Sequence, residues 1–122
     1  MAVKPKKKLT RTGLRELPLR PYPGMVFVTK DWKAFARACR ELFNRDERHT
    51  NQAGRFVCGP SWYHPFTAIV WWTKPETLAH ELSHVVLDIF ETVGIDPVSG
   101  QGEPFCYMLS QLFLEATQPL GK

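Results

Sequence analysis

The pattern of apolar and polar residues along the chain predicts both strands and helices. Met25–Thr29 is a short apolar run with β-branched side chains, which is typical of a strand. Residues 55–58 and 66–73 are two further strand candidates, separated by a segment that contains Gly and Pro. The pattern therefore predicts about three strands.

Three segments carry apolar residues at helical spacing. The first follows Asp31, whose side chain can cap a first turn. The second runs from Pro75 to Val93, with Gly94 just past its end. The third covers residues 103–116 and has Pro104 in its first turn. We therefore predict an α+β fold in which a small antiparallel or mixed sheet packs against about three helices.

Charge separates the first 24 residues from the rest of the chain. This segment holds seven Lys and Arg residues against Glu16 alone, a net charge of +6, whereas the whole chain carries +4. It also contains four prolines, and such a composition is too polar to form a core of its own. The prediction is a basic tail over residues 1–24 and one domain over residues 25–122. The tail either aids solubility or contacts nucleic acid or an acidic protein partner.

Several classes of protein are not expected from this sequence. No apolar run reaches the roughly 18 residues of a membrane span, and none follows the N-terminal charges as in a secretory signal. A cytoplasmic location without membrane contact is expected. Cys39, Cys58 and Cys106 are odd in number and widely spaced, so neither a disulfide framework nor a thiolate zinc site is indicated. They are predicted to be reduced and mostly buried.

The clearest chemical signal is the run His80-Glu81-Leu82-Ser83-His84 within the second predicted helix. Four residues turn a helix by about 400°, so the two imidazoles lie about 40° apart and one turn apart. Two neutral histidines in this arrangement can bind one zinc ion. Glu81, a further 100° round, can reach a water molecule instead of the metal, which is the position of a general base.

The rest of this helix supports a site outside the core. Five apolar residues lie between about 140° and 220° from His80, on the opposite side of the helix: Leu78, Leu82, Val85, Ile89 and Val93. The alternative is that the two histidines and Glu81 form a solvated polar face that binds no metal.

Residues 77–86 resemble the active-site helix of the zincin metallopeptidases, and the similarity extends over roughly residues 25–116. Leu87 and Phe90 stand where the metzincin branch has Gly and a third His, so the resemblance is to the gluzincin, or thermolysin-like, branch. The chain is also similar to small phage-encoded zincin-like proteins. That similarity implies a location in the host cytoplasm or in the virion.

The resemblance implies zinc-dependent hydrolysis of a protein or peptide substrate. Zinc would polarise the scissile carbonyl, Glu81 would take a proton from the metal-bound water, and an edge strand would bind the substrate backbone. Gluzincins take a third ligand from a glutamate on a later helix, so the resemblance implies Glu103 beside His80 and His84. The alternative for Glu103 is an acidic residue favoured by the helix macrodipole.

Three further polar residues are weaker candidates for the site. Asp88 lies one turn beyond His84 and either orients that imidazole or is a surface acid. Tyr107 lies one turn after Glu103 and either donates to an oxyanion or packs in the core. His64 lies in a turn with prolines, where it is a loop residue, a substrate contact, a proton donor or a competing third ligand.

Two other functions remain open from the sequence. One is a structural or adaptor protein, for example of a phage assembly, that keeps the fold and the metal without hydrolysis. The other is a nucleic-acid-associated protein that uses the basic segment 1–24.

Overall fold

The computed structural model describes residues 7–49 and 51–119 as one mixed sheet with three helices. The four strands are β1 (Arg15–Pro18), β2 (Met25–Thr29), β3 (Gly54–Gly59) and β4 (Thr67–Trp72). The helices are α1 (Trp32–Phe43), α2 (Pro75–Val93) and α3 (Glu103–Thr117), with a short 3₁₀ turn at Ser99–Gly102. The predicted α+β class is confirmed.

The sheet has the strand order β1-β2-β4-β3. The two central strands, β2 and β4, are parallel, and each edge strand is antiparallel to its neighbour. All six residues of β4 are buried, as expected for a strand covered on both faces. The edge strands β1 and β3 each leave one row of backbone groups without a partner strand in the described sheet.

The helices cover both faces of this sheet. On one face, Phe27, Ile69 and Trp71 pack against Phe35 and Cys39 of α1. On the other face, alternate residues of the same strands form a second core with α2 and α3, which includes Val26, Val28, Ala68, Val70, Leu78, Leu82, Val85, Ile89, Met108 and Leu112. The apolar stripe predicted on the second helix is therefore the side that α2 turns to the sheet.

The prediction of a basic tail over residues 1–24 is wrong for the part that the structure describes. Arg15–Pro18 forms β1, and both Leu17 and Leu19 are buried. A turn closed by the Leu19 amide and the Gly24 carbonyl, 3.0 Å apart, leads into β2. The net charge did not indicate this strand, because backbone pairing with β2 and two buried leucines order a segment whose charged side chains stay at least partly exposed. Residues 1–6 lie outside the described part.

Local signals placed the helix ends correctly. The Asp31 side chain accepts a hydrogen bond from the Lys33 amide at the start of α1, and Gly94 takes the left-handed conformation after α2. Cys39 is buried and Cys58 is half-buried, but Cys106 is exposed, which corrects the expectation for that thiol. Among residues 7–49 and 51–119, no helix combines the length and apolar character needed to cross a membrane.

The burial of Leu19, directly after β1, gives a test of whether the segment before β2 belongs to the core. Leu19→Ala should lower the free energy of unfolding by about 2 to 5 kcal/mol, because it removes a fully buried side chain. Leu114→Ala is the control, since Leu114 is 52% exposed and its loss should change stability by less than about 0.5 kcal/mol. Denaturant titration measures both values. Equal, small changes would show that the segment before β2 does not belong to the core.

Candidate metal centre

One flank of α2 lies along the edge strand β3, and both run in the same direction. From Glu81 to Asp88 the helix advances seven residues, about 10.5 Å, and from Gly54 to Cys58 the strand advances four residues, about 13 Å, so the two elements stay roughly in step. Three successive pairs face each other: Gly54 with Glu81, Phe56 with His84, and Cys58 with Asp88. The strand therefore fixes the flank of α2 that carries the sequence motif.

His80 and His84 point their side chains toward each other on this flank. Their Nε2 atoms are 3.3 Å apart and the two ring planes meet at 78°. Two nitrogens bound at 2.0 to 2.1 Å to a tetrahedral zinc ion would lie about 3.3 to 3.4 Å apart. The imidazole pair thus has the separation that a shared zinc ion requires. His80 is exposed and His84 is half-buried, so the position between them is accessible from solvent.

Phe56 of β3 holds the His84 ring in place. The two rings are stacked, with centroids 4.9 Å apart and planes only 5° from parallel. This contact covers one face of the imidazole and restricts its rotation. The apolar pattern predicts a strand at Phe56 but no role in the site. The sequence feature that indicates its position is the alternation of side chains along β3, which places Gly54, Phe56 and Cys58 on the face opposite Val57.

Glu81 is the buried acid of the site, with only 9% of its surface exposed. Burial raises the pKa of its carboxyl, and the nearby His80, His84 and Arg55 oppose that rise. A carboxylate with a raised pKa is a stronger proton acceptor, as general-base catalysis requires. Gly54 provides the space, because a Cβ there would lie 3.1 Å from the Glu81 Oε2 atom.

Asp88 has a different partner from the one suggested by sequence. Its Oδ2 atom accepts a hydrogen bond from the Cys58 thiol at 2.8 Å. Burial, together with this hydrogen bond and the carboxylate charge, raises the pKa of Cys58 to about 12, which keeps the thiol protonated. The pair joins α2 to β3 one turn beyond His84, so Asp88 contributes to the position of the helix and not to the orientation of the imidazole.

Glu103 lies at the start of α3, which packs on the other flank of α2. The Phe105 ring meets Phe90 edge-on at 6.1 Å, and Phe90 is six residues beyond His84, about 9 Å along the helix axis. Tyr107 is 73% exposed on α3, which corrects the alternative that it packs in the core. The structure brings neither side chain to the imidazole pair.

His64 is part of the turn between β3 and β4. Its carbonyl accepts hydrogen bonds from the Ser61 amide and from the Thr67 hydroxyl. Its Nδ1 atom is 3.5 Å from the Phe66 amide, at the limit of a hydrogen bond. These contacts agree with the loop residue that the sequence allowed, and they engage the imidazole within its own turn.

No third ligand joins the two histidines in the described part of the chain. Within residues 7–49 and 51–119, no group of three His, Cys, Asp or Glu side chains is placed to hold a metal ion. The remaining positions of the sequence include none of these four residue types. Of the described residues, two imidazoles therefore fit a zinc ion, and further ligands would have to be water or groups from outside the chain.

The close approach of Gly54 to α2 can be tested with a double-mutant cycle. Gly54→Ala should destabilise the fold by about 1 to 3 kcal/mol, because its methyl group would meet Glu81 and the Thr77 Cβ at 3.1 to 3.3 Å. In a Glu81→Ala background the cost should fall, since two of these three contacts come from Glu81. Denaturant titration of the four proteins gives the coupling. Additive effects would show that Gly54 and Glu81 are not in contact.

Comparison of the chain with protein-family models, with curated proteins and with solved structures finds no significant match in any of the three. The function of the site is therefore inferred from its own residues.

Proposed function

We propose that this protein binds a zinc ion through His80 and His84 and hydrolyses peptide bonds. The observation that carries the proposal is the 3.3 Å separation of the two Nε2 atoms, with a buried carboxylate in the next helical position. The resemblance of residues 77–86 to the zincin active-site helix points to the same reaction.

Each residue of the motif has a separate task in this proposal. His80 and His84 hold the metal, and Phe56 keeps the His84 ring in the plane that binding requires. Bound zinc would polarise the scissile carbonyl and lower the pKa of a water molecule toward 7. Glu81 accepts the proton of the attacking water and returns it to the leaving amine. Its burial favours the protonated form halfway through this transfer.

The edge strand β3 supplies a place for the substrate backbone. It pairs with β4 on one side, and its other row of backbone groups faces away from the sheet. An extended peptide can add to such an edge through main-chain hydrogen bonds. Because Gly54 and Phe56 contact the motif, a peptide on this edge would pass close to the metal and Glu81.

A second function, a structural or adaptor protein that retains the metal, is favoured by one observation. Catalytic zinc sites usually have three protein ligands, and this site brings together two. A structural function needs no activated water and does not depend on Glu81. Both functions include a bound zinc ion, but only the first includes peptide hydrolysis.

The zinc content of the purified protein tests whether His80 and His84 bind the metal. Purified protein should contain up to one zinc ion per chain, and His80→Ala and His84→Ala should each lower affinity at least tenfold. Glu103→Ala is the control, and it should leave affinity unchanged because α3 keeps Glu103 away from the imidazoles. Elemental analysis and competition with a chromophoric chelator measure both quantities. Metal content indifferent to both histidines would refute the site, and loss of zinc in Glu103→Ala would restore the gluzincin ligand set.

Hydrolysis tests the role of Glu81. Glu81→Gln should keep the zinc and the fold but reduce cleavage of a peptide library by a factor of about 10² or more, since the amide cannot accept the proton. Mass spectrometry of the peptides measures cleavage. Equal cleavage by wild type and Glu81→Gln would show that this mechanism is wrong. Zinc binding with no cleavage by either protein would favour the structural function.

A further inference from the structure

A groove lies on the opposite side of the molecule from His80 and His84. It is bounded by the C-terminal turn of α1, by the turn between β3 and β4, and by Lys7 and Lys8, and it encloses about 920 Å³. Since α1 and α2 cover opposite faces of the sheet, the sheet separates this groove from the candidate metal centre. The groove is therefore separate from the candidate metal centre.

The walls of the groove are largely apolar and include one exposed indole. Leu42, Phe43 and Pro60 form much of the lining, together with Trp62. Trp62 is 39% exposed, although its Nε1–H donates to the Glu41 carbonyl at 2.7 Å. That hydrogen bond and an edge-on contact with Tyr63 fix the ring. A fixed, partly exposed indole is a surface on which another flat ring can stack.

The rim of the groove is positively charged. Lys7, Lys8 and Arg40 line it, and all three are exposed. Glu41 is the acidic residue of the lining, and its two carboxylate oxygens accept hydrogen bonds from the Thr10 amide at 2.7 Å and the Thr10 hydroxyl at 2.9 Å. These two hydrogen bonds also attach the chain just after Lys8 to α1. The lysines are thus held near the helix end.

We propose that this groove binds single-stranded nucleic acid. Lys7, Lys8 and Arg40 would contact phosphates, and a base would stack on Trp62. A single strand fits better than a duplex, because the bases of a duplex are already stacked and their faces are not available. The carboxylate side chains of an acidic peptide would contact the cations but offer no flat ring to the indole. This function is independent of zinc and of peptide hydrolysis.

The test uses the full chain and a fluorescein-labelled oligothymidylate of twelve nucleotides, with binding followed by fluorescence anisotropy. Trp62→Ala should weaken binding roughly tenfold, and Trp62→Phe should retain most of it, since phenylalanine still stacks. Arg40→Gln should weaken binding and reduce the slope of log K against log salt by about 0.7, the value for one phosphate contact. Lys33→Gln removes the same charge from the exposed surface of the first turn of α1 and should change neither.

Two competitors identify the class of ligand. An unlabelled duplex of the same length and an oligoglutamate peptide should each compete less well than unlabelled oligothymidylate. Stronger competition by the peptide would overturn the proposal in favour of an acidic protein partner. Absence of binding would overturn it, as would equal weakening by Lys33→Gln and Arg40→Gln, because that pattern indicates net charge alone. Circular dichroism of each variant confirms that it is folded.

Discussion

The alignment of α2 with the edge strand β3 is the constraint on which the candidate site depends. A helix and a strand that run side by side advance at different rates per residue, but three to four helical residues for every two strand residues keep the two elements roughly in step. This match places a small, an aromatic and a thiol residue of β3 opposite one acid, one imidazole and a second acid of α2. Each contact fixes one side chain, so the geometry of the motif is a property of the pair of elements.

The sheet makes this alignment rigid. Because β2 and β4 are buried on both faces, α2 cannot shift without exposing the core that it shares with β4 and with α3. The direction of α2 follows from β4, since the helix returns antiparallel to β4 and therefore runs parallel to β3. The short strand β1 completes the other edge and packs Leu17 and Leu19 under the same helix layer.

Features that depend on helix geometry and helix capping could be predicted from the sequence. Several features that depend on contacts between elements could not. The spacing of His80 and His84 fixes their relation because it depends only on helix geometry, and the ends of α1 and α2 follow from Asp31 and Gly94. The strand β1 was missed because charge dominated its composition, although it pairs with the next strand, β2, across a short turn. Phe56 and Gly54 were missed for a similar reason, since the sequence does not reveal which face of β3 meets α2.

The position of Glu103, the expected third metal ligand, also could not be predicted from the sequence, because it depends on how α3 packs. The spacing between His84 and Glu103 allows a turn back to the site, but α3 is held on the far flank by Phe105 against Phe90 and by the burial of Met108 and Leu112. Bringing Glu103 to the imidazoles would expose those side chains, each worth about 1.5 to 3 kcal/mol when buried. The packing of α3 therefore opposes the approach of Glu103 to the imidazoles, and a third ligand for the proposed zinc ion would have to come from water or from outside the chain.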